Sequence, residues 1–141
     1  MLKQTVAHES GRPVILVDST TKGDQGDEGA VVISGSHGGR SSGEFALAVP
    51  FAAVFFSDAG IGKDEAGIAG LAMLDEKGTP ACAVGHETGR IGDAADMWEH
   101  GLVSRVNAAA AARGAAPGMA VREAAAVLAQ QAGGAALGTA R

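Results

Sequence analysis

The chain has 141 residues, 46% of them hydrophobic but only 4% aromatic, with no tyrosine and a net charge of −5 at pH 7. This length suits one domain with one core, and Ala, Val, Leu and Ile have to build that core. Basic residues are scattered rather than gathered in a stripe, which argues against nucleic-acid binding, and no apolar run approaches the roughly 20 residues of a membrane helix.

Met1 to Gly11 carries no apolar signal core, and the single cysteine, Cys82, has no internal disulfide partner; both features point to the cytoplasm. The first continuous apolar run is Val14-Ile15-Leu16-Val17, ending in Asp18-Ser19. The second, Ala30 to Ile33, ends in Ser34-Gly35-Ser36-His37-Gly38-Gly39, and the third, Ala52 to Phe56, ends in Ser57-Asp58. The fourth, Ala81 to Val84, ends in Gly85-His86-Glu87, and Leu102 to Val106 is a weaker fifth. Unbroken apolar runs suit strands covered on both faces, as in parallel sheets flanked by helices.

Helical patterns fill the intervals: Ser41 to Val49, Lys63 to Lys77, Asp93 to His100, Asn107 to Arg113, and the alanine-rich stretch Met119 to Gln131. Thr20 to Gly29 is close to the minimum for a crossover and is rich in Gly and Asp, so it reads as a short helix or an irregular loop. The alternation predicts one α/β domain over 1–132 with a frayed tail over 133–141. The expected architecture is a three-layer sandwich around a mostly parallel sheet of about five strands, Rossmann-like or flavodoxin-like. Small core residues bury little area each, which favours a homo-oligomer.

Open parallel sheets bind ligands beyond the carboxyl ends of their strands. The polar residues collect at those ends: Ser34, Ser36 and His37, then Ser57 and Asp58, then His86, Glu87 and Arg90. Any α/β domain has polar residues where its strands emerge, but here they come from independent segments and include two of the four histidines.

In the loop from Ser34 to Gly43, Gly35, Gly38 and Gly39 leave room for backbone N–H groups to hold a carboxylate, a phosphate or a developing oxyanion. Tight turns with positive φ would require the same residues. The loop is neither a dinucleotide fingerprint nor a P-loop, so ATP hydrolysis has no support. Asp58-Ala59-Gly60-Ile61-Gly62 leads into a helix start that offers a second anion site through Gly60 and Gly62, although Asp64 and Glu65 can satisfy that helix end themselves. Gly67 and Gly70, inside the same helix, suggest close packing on the sheet or on another subunit.

Ser36, Asp58 and His86 follow three successive strands in the order of a Ser–Asp–His triad, but G-x-S-x-G is only half met and the chain is too short for an α/β-hydrolase. Alternatively, His37 and His86 form an acid–base pair oriented by Asp58. Arg90 and Arg40 each suit a substrate carboxylate or a local salt bridge. Cys82 sits within a strand and reads as a small buried hydrophobe rather than a nucleophile. His37, Asp58, His86 and Asp93 are suitable metal-ligand types, but their spacing matches no metal motif, so no metal site is assigned. Trp98 reads as a packing anchor, in the core or at an interface.

These features predict a small cofactor-independent hydrolase or lyase acting on a small, anionic carboxylate or amide. In that reading His86, His37, Asp58 and Ser36 are catalytic, and Gly35, Gly38, Gly39, Arg40, Gly60, Gly62 and Arg90 bind substrate. The rival readings are a non-catalytic module for small anions or nucleotides and a structural subunit of an assembly.

Overall fold

Strand β1 (Lys3–Glu9) opens the chain and returns through Ser10-Gly11 into β2 (Arg12–Val17), with Glu9 opposite Arg12. Both turn residues have positive φ, 52° and 81°, which gives the two-residue hairpin the twist its strands need. The computed structural model describes residues 3–17, 28–37, 40–47, 49, 51–58 and 69–131. Beyond the hairpin follow β3 (Val31–His37), α1 (Arg40–Leu47), β4 (Ala53–Ser57), α2 (Ala69–Glu76) and β5 (Ala81–Val84). Then come α3 (Ala94–His100), β6 (Val103–Val106), α4 (Ala108–Ala112) and α5 (Val121–Gln131).

The strands form one mixed six-stranded sheet in sequence order, parallel from β2 to β5 and antiparallel at both edges. Side chains of a strand alternate between faces, and the apolar runs divide accordingly. Val14, Ile33, Phe55 and Val84 join a cluster with Met97 and Trp98 of α3 and Val121 and Leu128 of α5. Ile15, Val32, Phe56 and Ala83 join another with Ala46 of α1 and Leu71 and Leu74 of α2. Neighbouring Phe55 and Phe56 are thus both fully buried on opposite faces, each worth about 1.5–3 kcal/mol of hydrophobic stabilisation. Trp98 is a core residue, with the Arg122 guanidinium 5.0 Å from its ring centroid.

Three sequence expectations need correction. β1 went unforeseen because its pattern is polar and largely exposed, as an edge strand's can be. The fifth apolar run is antiparallel because the excursion through α3 ends where it began: the Gly85 N–H donates to the Leu102 carbonyl at 2.9 Å, so β6 can only run back along β5. The segment Ser34–His37, expected as the start of a loop, belongs to β3. It carries a bulge, since Ile33 lies opposite Phe55 while His37 lies opposite Ser57.

Gly70 packs against α1. A Cβ built on Gly43 of α1 would lie 2.9 Å from the Gly70 Cα, so the two helices meet backbone to backbone. The start of the helix predicted from Lys63, most of the first crossover and the tail after Gln131 lie outside the described residues. Among the described residues no helix is long and apolar enough to cross a membrane.

Candidate active site

The chain leaving β4 reaches α2 on one face of the sheet, whereas the chain leaving β5 reaches α3 on the other. Where successive connections diverge in this way, a crevice opens at the carboxyl ends of the two strands. Asp58 and His86 are the residues at that point.

Asp58 follows β4 directly, and its N–H donates to the Val84 carbonyl at 2.8 Å, which fixes it to the end of β5. Its side chain is only 7% exposed, and burying a carboxylate is costly unless donors surround it. Here the donors are present. Oδ1 accepts the His86 backbone N–H and lies 3.1 Å from His86 Nδ1, while Oδ2 accepts the Ser104 hydroxyl at 2.7 Å. A carboxylate can only accept. Against an ionised Asp58, the neutral imidazole bonds in the tautomer with its proton on Nδ1 and its lone pair on Nε2, on a side chain that is 49% exposed.

The loop carrying His86 is tied down at several points. Thr88 Oγ1 donates to the Gly85 carbonyl at 2.8 Å and accepts the Leu102 N–H at 2.9 Å. The Gly92 N–H reaches across to the Gly35 carbonyl of β3 at 2.8 Å. Gly89 lies against α3, where a Cβ would come within 2.8 Å of the Met97 Cα. Asp93 caps α3 by accepting the Asp96 N–H, and Asp96 in turn accepts the Arg90 N–H at 2.8 Å. This loop is preorganised by its own hydrogen bonds, a requirement for holding a catalytic side chain in place.

Ser104 was not singled out in the sequence. Arg105 of β6 lies opposite Ala83 and Val103 opposite Val84, so Ser104 is the extra residue of a bulge. The only available signal was a serine beside Arg105 in a weakly apolar run, which is no signal by itself.

The remaining candidates are distributed as follows. Ser36 is half-buried, and its N–H donates to Ser34 Oγ at 3.1 Å, which occupies one of the N–H groups that an anion cradle would use. Gly35 is engaged through its carbonyl. Strand pairing sets His37 across from Ser57, but its side chain and that of Arg40 lie outside the described residues, as do Gly38, Gly39, Gly60 and Gly62. Arg90 is exposed on the same loop as His86. Among the described residues no three His, Cys, Asp or Glu gather as a metal site, and Asp93 serves as a helix cap. Cys82 is fully buried, and burial pushes its thiol up to about 12, which keeps it protonated and unreactive at neutral pH.

No protein family, curated protein or solved structure matches the chain.

Proposed function

We propose that the protein is a small acid–base enzyme, a cofactor-independent hydrolase or lyase acting on a small carboxylate or amide. The observation that carries this reading is the bond between buried Asp58 and half-exposed His86, 3.1 Å between Oδ1 and Nδ1, at the carboxyl ends of β4 and β5. Asp58 holds the imidazole in the tautomer that leaves Nε2 open and stabilises the imidazolium formed when Nε2 takes a proton. The same group then returns the proton to the leaving atom. Exposed Arg90, four residues along the same loop, supplies a guanidinium for the substrate carboxylate. Apolar clusters on both faces of the sheet support the finer description of the fold as a three-layer, Rossmann-like sandwich.

The test is turnover of a panel of small esters, amides and hydroxy or enol acids by the wild type and by His86→Ala. Loss of turnover in a folded variant is the expected result, and full retention would remove His86 from the reaction. The alanine-rich core further supports a homo-oligomer, which a monomeric mass by light scattering would contradict.

A further inference from the structure

We infer that Ser104 is a positioning residue for the pair Asp58–His86, acting through the carboxylate rather than on the substrate; the inference rests on the acid–base reading above. A serine hydroxyl has one proton to give. Ser104 Oγ stands 2.7 Å from Asp58 Oδ2 and 3.4 Å from the Ala83 carbonyl, so the proton goes to the carboxylate. That bond is shorter than the two contacts Oδ1 makes with His86, both 3.1 Å, as expected of a hydroxyl donating to a charged acceptor.

The last torsion of an aspartate is broad and roughly two-fold. Two donors from His86 on Oδ1 do not by themselves stop the carboxylate from swinging. Ser104 holds the second oxygen from β6, two strands away from β4, and so commits Oδ1 to the imidazole.

The backbone supports the same assignment. A shift of one residue along a strand turns a side chain to the opposite face, and the bulge in β6 is the local departure from register that contains Ser104. Bulges of this kind re-aim side chains beside active sites. Ser104 has no direct route to proton transfer, since its proton is aimed at Asp58 and His86 Nδ1 faces the same carboxylate.

The experiment uses the full chain with ¹⁵N-labelled histidine in four forms: wild type, Ser104→Ala, Ser104→Thr and Ser104→Cys. The wild type and Ser104→Thr should show the Nδ1–H tautomer of His86, with the Nδ1 proton protected from exchange. Ser104→Ala should show mixed tautomers and a rapidly exchanging Nδ1 proton, with kcat lowered about tenfold and KM unchanged. Ser104→Cys, which keeps the size with a weaker donor, should fall between, and it carries the test if the alanine variant does not fold. An unmoved tautomer and unmoved kcat in folded Ser104→Ala, or in Ser104→Cys in its place, would reduce Ser104 to an edge-strand residue. Retained turnover in His86→Ala would instead remove the acid–base reading and leave the tautomer result standing by itself.

Discussion

Asp58 and Asn107 are both buried polar residues, and they sit at opposite ends of β5. The Asn107 N–H donates to the carbonyl of Ala81, the strand's first residue, and the Asp58 N–H to the carbonyl of Val84, its last. Asn107 uses its side chain completely. Oδ1 accepts the Ala81 and Ala110 N–H groups, and Nδ2 donates to the carbonyls of Leu71 and Thr79. Those four partners are all backbone, so the residue caps α4 and ties it to α2 and β5 with no polar capacity left over. Two of the Asp58 contacts described above are instead side chains, one of them on a half-exposed imidazole. Two buried polar groups of similar size thus serve different ends: one closes the scaffold, and the other passes its hydrogen bonding outward to a group that can exchange protons.

The largest expected effect separates the two residues directly. Asp58→Asn keeps a hydrogen-bonding side chain of the same shape but no longer enforces the Nδ1–H tautomer. Turnover should fall by about 10³- to 10⁴-fold, while the melting temperature moves by no more than about 5 °C. A variant that unfolds instead would make Asp58 a structural residue like Asn107.

The converse substitution, Asn107→Ala, strips four buried hydrogen bonds and a helix cap. It should cost about 3 kcal/mol, or roughly 10 °C in melting temperature, with kcat of the folded fraction unchanged. Urea unfolding beside kinetics at a permissive temperature measures both. A parallel loss of kcat would show that the two ends of β5 are coupled.

Gly89→Ala tests the loop at the Asp58 end of β5. The new methyl meets the Met97 backbone and side chain, which should destabilise by about 1–3 kcal/mol and displace the loop that holds His86. Stability and kcat should therefore fall together here, unlike in either preceding variant.

The smallest effect is a pH dependence. The folded state holds the Cys82 proton up to about 12, against 9.0 for the ordinary thiol. The unfolded chain releases its proton first, so the stability that depends on the neutral thiol is full below pH 9 and declines as pH rises toward 12. Cys82→Ala should flatten this decline in unfolding measurements at pH 8 and pH 10.5. An unchanged slope would assign it to other groups.

The same contrast explains what the sequence revealed. The runs Val14–Val17, Ala30–Ile33, Ala52–Phe56 and Ala81–Val84 were legible as buried strands because both faces are covered and every position is apolar. β1 was not, because as an exposed edge it has no apolar run. The direction of β6 was hidden because it depends on where α3 returns the chain, a tertiary fact that no local pattern encodes. Asp58 and His86 could be picked out because each stands two residues past an apolar run. Ser104 and Asn107 could not, because a bulge and a four-way amide bridge are properties of strand register and packing. Serines occur throughout the chain, and no local pattern marks its single asparagine as a four-way bridge.

The most direct test of the proposed site is the protonation state of one ring. Long-range ¹⁵N–¹H spectra of the wild-type protein should show the neutral His86 ring with its proton on Nδ1 and an unprotonated Nε2, the arrangement required if Asp58 orients it as a base. A spectrum with the proton on Nε2 would mean that His86 does not donate to Asp58, and the acid–base account of this site would be wrong.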